Sequence, residues 1–178
     1  IALAFVAAAR ILTGRRPGLQ PVLARAGGVA ASRLDGTGLP VVEDGRSLLG
    51  HARAAIVKSG TTTLEAALAG VPFVVAYRTS SLTFALARRL VRVDHVALAN
   101  LVAGQRVVPE LLQDEVNPSA LADAAWPLLG DTPQRRTMLE GLTGIREQLG
   151  GGGASDSVAD LALELLGLHT GGGDGGAV

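Results

Sequence analysis

The stretch "IVKSGTTTLEAALAGVPFVVAYR", Ile56–Arg78, decides how the rest of the chain is read. Residues 54–59, "AAIVKS", form a short apolar run that reads as a buried strand. From Thr61 to Leu68 the pattern turns helical, and Gly70 is placed to stop the helix. Residues 71–77, "VPFVVAY", are continuously apolar, as in strands buried on both faces of a parallel sheet. Between the first strand and the helix lies the polar turn Ser59-Gly60-Thr61-Thr62. Strand, turn, helix and strand make one βαβ unit, and ligands of such sheets bind beyond the carboxyl ends of the strands.

The turn has the chemistry for an anion. First-turn amides of a helix lack intrahelical acceptors and suit phosphate. Gly60 lets a ligand come close to the main chain, and Ser59, Thr61 and Thr62 offer hydroxyls. Glu65, one turn on, is a carboxylate able to accept two hydrogen bonds from a vicinal diol such as that of ribose. The local pattern has a second reading of equal weight. Thr62-x-x-Glu65 also spells a capping box, which needs no ligand. Neither G-x-x-x-x-G-K-[ST] nor G-x-G-x-x-G after a strand is present, so standard NTPase and NAD-binding readings have no support.

Outward from this unit the same alternation continues. Residues 2–13 are alanine-rich helix material; 19–26 and 39–44 read as strands, with a short helix or loop between them, and 45–53 as a helix. After the central unit come a helix over 80–93, a long loop over roughly 94–109, and helices near 117–129, 131–149 and 154–167. Strands alternating with helices predict an α/β fold, a parallel sheet covered by helices. The Gly-rich stretch 168–178 is expected to be a disordered tail, leaving 1–167 as the domain.

Composition narrows the function. The chain has 178 residues, 48% hydrophobic but only 3% aromatic, so its core is aliphatic. A formal net charge of +0 argues against nucleic acid as the main partner. Cysteine is absent, which excludes disulfides and thiolate metal sites. His51, His95 and His169 are scattered without metal-type spacing, and no cofactor is implied. Arg88, Arg89 and Arg92 near the end of 80–93 suit an anionic lipid surface, but also complement a helix C-terminus. Ser80 and Ser81 read as helix caps, and Glu110 and Gln113 as facing either a ligand or solvent. The apolar opening without Met reads as a helix of a longer protein cut at its N-terminus.

Two segments together carry a family resemblance. "SGTTTLEAALAGVPFVVAYR" and "LARRLVRVDHVALANLVAGQRVVPELLQDEVNPSALA" resemble the C-terminal half of the lipid-A-disaccharide synthases. There the pattern runs SGTATLEAALLGVPMVVAYR, then LARRLVKVPYVSLPNLLAG and VVPELLQ. The likeness is close from Ile56 to Ala122, and looser but collinear over the first 55 residues and on to Leu166. Departures are Lys58 for a usual alanine, Asp94 near a usual proline, and Ala99 for proline.

The resemblance implies a B-type glycosyltransferase with two Rossmann-like domains facing across a cleft. Its reaction moves diacylglucosamine from UDP to diacylglucosamine-1-phosphate, releasing UDP, at the cytoplasmic face of the inner membrane. By position, Ser59, Gly60, Thr61 and Thr62 would meet the pyrophosphate and Glu65 the ribose. Asn100 matches the family's functionally important asparagine and would act in catalysis. The acceptor site and general base would lie in a missing N-terminal domain, so this donor-binding half would be inactive alone. Two alternatives stay open: another UDP-sugar transferase or epimerase of the same fold, and a non-catalytic nucleotide-binding module.

Overall fold

In the computed structural model the residues described are 1–80, 95–150 and 163. The chain divides into two compact units, Ile1–Gln148 and Leu149–Val178, and the fold below is that of the first. The expectations for 81–94, including the three arginines, lie outside the described residues, as do the 167/168 domain boundary and the tail. Of the helix expected over 154–167, Leu163 alone is described, and it is helical.

Helix α1 (Ala2–Arg15) leads into strand β1 (Leu23–Ala24), a 3-10 turn (Ala31–Arg33) and strand β2 (Val41–Val42). Helix α2 (Gly45–His51), strand β3 (Ala55–Lys58), helix α3 (Thr62–Leu68) and strand β4 (Phe73–Tyr77) follow. Helix α4 (Leu98–Ala103), strand β5 (Glu110–Leu112), a 3-10 turn (Gln113–Glu115), helix α5 (Pro118–Leu129) and helix α6 (Pro133–Leu149) complete the order. Among the described residues all strand pairing is parallel. β1 pairs with β2, Leu23 opposite Val41, in a two-stranded sheet. β3, β4 and β5 form a second sheet in chain order, with Val57 opposite Val75 and Ala76 opposite Leu111. The fold is α/β and Rossmann-like.

Local chemistry explains the element ends. Asp44 caps α2 by accepting from the Ser47 N–H at 2.9 Å, and Asn117 caps α5 by accepting from Ala120 N–H at 2.9 Å. Thr132 Oγ1 accepts from Arg135 N–H at 3.1 Å at the start of α6. Gly70, at φ +67°, closes α3 as the sequence predicts. The Val71 N–H reaches the Ala66 carbonyl at 3.1 Å and the Gly70 N–H reaches Ala67 at 3.0 Å, a Schellman pair.

The core lies around β4, whose Phe73, Val74, Val75 and Ala76 are wholly buried. Leu121, Ala122, Ala125 and Leu128 of α5 and Met138, Leu142 and Ile145 of α6 belong to the same core. On its outer side α1 packs against α5, where Arg15 meets Asp123 at 2.7 Å and stands over the Trp126 ring. Arg135 bonds the Arg53 and Leu128 carbonyls at 2.6 Å each. Burial, then the nearby Arg53, lower its pKa from the ordinary arginine value, while Asp131 opposes them.

Two corrections concern the 94–109 region. The expected long loop contains helix α4, and the segment after it contains strand β5. The physical cause is the same for both. α4 takes its N-terminal acceptor from β5 rather than from a neighbouring Ser, Thr or Asp, so its start carries no local sequence mark. β5 is only three residues long and includes Glu110, so it lacks an apolar run.

Candidate functional site: the Ser59–Glu65 turn and its support

The turn sits at the carboxyl end of β3. The Ser59 N–H continues the ladder to the Ala76 carbonyl at 2.9 Å, and the chain then leaves the sheet. Gly60 follows at φ +148°, a conformation that strains any side chain. A Cβ there would meet nothing within 4 Å, so backbone angle, not crowding, calls for glycine. Gly60, Thr61 and Thr62 are exposed, and their N–H groups meet no acceptor among the described residues.

Thr63, unnoticed in the sequence reading, fixes the turn from beneath. It is wholly buried, and both its N–H (3.1 Å) and its Oγ1 (2.8 Å) donate to the Gly60 carbonyl. Three threonines in a row hid this one: only the 3.6-residue period separates the inward Thr63 from its two outward neighbours.

The capping-box alternative is not formed. The N-cap of α3 is Thr61, not Thr62, and its side chain makes no cap hydrogen bond. The carboxylate of Glu65 meets Arg46 of α2 at 3.6 Å instead of returning to the N-cap amide. Its side chain keeps 36% of its surface accessible. The physical reason is the Gly60 geometry, which satisfies Thr63 through the Gly60 carbonyl and leaves the outer amides facing solvent.

A second segment braces the turn. Ser59 Oγ donates to the Val96 carbonyl at 3.2 Å. The Val96 and Ala97 N–H groups in turn donate to the Glu110 carboxylate, at 3.0 Å to Oε2 and 2.9 Å to Oε1. Asn100 Nδ2 donates to Glu110 Oε1 at 2.8 Å and to the Val108 carbonyl at 2.9 Å. Asn100 Oδ1 accepts from the N–H groups of Val107 (2.8 Å) and Val108 (2.9 Å).

Asn100 is therefore not on a loop facing a ligand. It stands on α4, wholly buried, with both amide hydrogens and its oxygen occupied by protein partners. Gripping a leaving phosphate would require it to give up one of these bonds. Glu110 and Gln113, read as facing ligand or solvent, both bond main chain. Gln113, at φ +49°, accepts from the Thr79 N–H at 2.8 Å and donates to the Thr79 carbonyl at 3.2 Å. That amide pairing extends the β4–β5 register by side chain. Lys58 is exposed at the end of β3.

Parallel strands covered by helices, with a glycine turn at the carboxyl end of β3, make this a Rossmann-like domain. Residues 33–155 match the family model described as lipid-A-disaccharide synthetase. The chain belongs to the lipid-A-disaccharide synthase family. It is 48% identical over 130 residues to the lipid-A-disaccharide synthase of Acidobacterium capsulatum, covering 72% of this chain and 32% of that protein. With the Geobacter metallireducens synthase the identity is 41% over 166 residues, 89% of this chain and 43% of that one. The Myxococcus xanthus synthase gives 42% over 168 residues, 90% and 44% respectively. The chain thus spans 32% to 44% of the length of these relatives. The match does not favour the alternatives, another UDP-sugar transferase or epimerase of the same fold or a non-catalytic nucleotide-binding module.

Proposed function

We propose that this chain supplies the donor-binding part of a lipid-A-disaccharide synthase. The reaction is transfer of diacylglucosamine from UDP to diacylglucosamine-1-phosphate, with release of UDP. The observation that carries this reading is the family correspondence, which runs through the turn at the carboxyl end of β3. In it the amides of Gly60, Thr61 and Thr62 receive the pyrophosphate, with the Thr61 and Thr62 hydroxyls alongside, while Ser59, whose hydroxyl donates to the Val96 carbonyl, holds the turn in place. Glu65 takes the ribose diol, Arg46 giving way as the diol arrives. Asn100 serves the reaction through the main chain it holds in place. No residue among those described is assigned as general base.

The setting proposed is the cytoplasmic face of the inner membrane, with the protein bound peripherally. Among the described residues no helix is long and apolar enough to cross a membrane.

Titration calorimetry of the full-length protein with UDP and ADP, in EDTA, tests the donor assignment. UDP is expected to bind more tightly than ADP and without a divalent metal, because helix amides rather than an ion meet the phosphates. Equal or tighter binding of ADP would remove the uridine-nucleotide reading.

A further inference from the structure

Glu110 has an unusual post for a carboxylate. It belongs to β5, yet its two oxygens take the N–H groups of two successive residues, Val96 and Ala97, that precede α4. The same Oε1 takes Asn100 Nδ2. Main-chain groups and an amide thus converge on one side chain, and charge-assisted bonds of this kind are shorter and stronger than neutral ones. Their effect is to fix the peptide planes at 96 and 97. The carbonyl of Val96 is the acceptor for Ser59 Oγ. Ser59 is also tied by its N–H to β4, so its two bonds set where the chain enters Gly60.

We propose that Glu110 is a positioning residue for the donor-binding turn. It acts through Val96: the carboxylate fixes the 96–97 main chain, the Val96 carbonyl fixes the Ser59 hydroxyl, and Ser59 fixes the entry to Gly60, Thr61 and Thr62. This rests on the reading of that turn as the UDP site. Nothing in the chain of bonds places Glu110 itself against a ligand. Its oxygens are turned to the protein main chain, and its part is to hold the exposed amides in one arrangement.

The experiment pairs two readouts on the full-length protein, in wild type, Glu110→Gln, Ser59→Ala and the double variant. The first is UDP affinity by calorimetry. The second is amide hydrogen exchange at Val96, Ala97 and Thr63, whose acceptors are Glu110 and the Gly60 carbonyl. Glutamine keeps the size of the side chain but loses the charge and one acceptor. Glu110→Gln is expected to weaken UDP binding about ten-fold, the loss of a charge-assisted set of bonds. Ser59→Ala should weaken it as well, and the double variant no more than the worse single, because both cut one linkage. Exchange should quicken at Val96, Ala97 and Thr63 in Glu110→Gln, but at Thr63 with Val96 and Ala97 still protected in Ser59→Ala.

Wild-type UDP affinity in a folded Glu110→Gln protein, or fully additive losses, would overturn the proposal. If the wild type itself does not bind UDP, the donor-site reading fails and the exchange pattern decides alone for Glu110. Faster exchange confined to Val96 and Ala97, with Thr63 unchanged, would then reduce Glu110 to a local cap of α4. If Glu110→Gln does not fold, Ser59→Ala carries the test: unchanged Thr63 exchange there refutes the linkage.

Discussion

The side-chain amide of Asn100 and the peptide group of Val108 bond each other face to face. Nδ2 donates to the Val108 carbonyl at 2.9 Å, and the Val108 N–H donates to Oδ1 at 2.9 Å. Asn100 is thus used as a piece of main chain, pairing α4 with the segment that enters β5. Removing it would leave the buried Val108 N–H and carbonyl without that partner, while the Val107 N–H would keep its bond to the Gln105 carbonyl at 3.0 Å.

Asn100→Ala is therefore expected to lower the free energy of unfolding by about 2–6 kcal/mol, read by urea denaturation, since each of the two unpaired buried groups costs about 1–3 kcal/mol. Asn100→Asp should be no milder, because it presents an acceptor to the Glu110 carboxylate and the Val108 carbonyl, where donors are required. Turnover of the full-length protein should fall together with stability. A variant of wild-type stability whose kcat had dropped by roughly 10²–10³ would instead return Asn100 to direct contact with the leaving group.

Glu65 presents the opposite case. Its partner in the structure is Arg46, 3.6 Å away and largely exposed, and surface pairs of this kind contribute about 0–1 kcal/mol. Glu65→Ala should leave the melting temperature nearly unchanged while weakening UDP binding by about 1–3 kcal/mol, the worth of hydrogen bonds to a charged group. A loss of stability with affinity intact would show that the carboxylate serves the helix after all.

How much of this was legible beforehand depended on where each element finds its partners. The βαβ unit from Ile56 to Tyr77 carried its own marks: apolar runs for β3 and β4, and Gly70 for the end of α3. At the starts of α5 and α2, Asn117-Pro118 and Asp44 are local marks of the same kind. Helix α4 carried no such mark, because the N–H groups of Val96 and of its N-cap Ala97, just before it, are met by Glu110, more than ten residues on. In the site, the exposed turn residues were readable as a group, since Gly next to hydroxyl residues at a strand end is a local signal. The brace of Ser59, Val96, Glu110 and Asn100 was not. It joins three separate segments: Ser59, Glu110 and Asn100 each alone resemble an ordinary polar residue, and Val96 takes part only through its main chain.

Met138 offers a test of packing against hydrogen bonding in the core. The N–H of Phe73 lies in β4 before the β4–β5 register begins at Val75, so no strand carbonyl from β5 is available to it. It donates instead to the Met138 sulfur of α6 at 3.3 Å. Met138→Leu conserves volume, a swap that ordinarily costs less than about 1.5 kcal/mol. Here the orphaned N–H should bring the cost to about 1–3 kcal/mol, measured by denaturant midpoint. Met138→Ala should cost more, about 2–5 kcal/mol, because it adds a cavity. If Met138→Leu proves neutral, the sulfur is only a spacer.

Gly141 lies in the middle of α6, where replacement by alanine would ordinarily stabilise a helix by about 1 kcal/mol. The opposite is expected here. A Cβ at Gly141 would stand 2.6 Å from Val107 Cγ1, closer than a Cβ can be tolerated, and a tight 3.1 Å from Cγ2. Valine is stiff at χ1, and the Val107 main chain is held by its N–H bond to Asn100 Oδ1 at 2.8 Å, so the side chain has little room to yield. Gly141→Ala should therefore destabilise by about 1–3 kcal/mol, the usual cost of overpacking. The displacement would run along the residues that brace the Ser59 turn, through Val107, Asn100 and Glu110. The double variant Gly141→Ala with Val107→Ala separates the two causes. Removing the γ-methyl groups should restore the helix-propensity gain, so that Gly141→Ala becomes stabilising in the Val107→Ala background. If alanine at 141 is equally destabilising with and without the Val107 methyls, the close approach to Val107 is not the reason for glycine at this position.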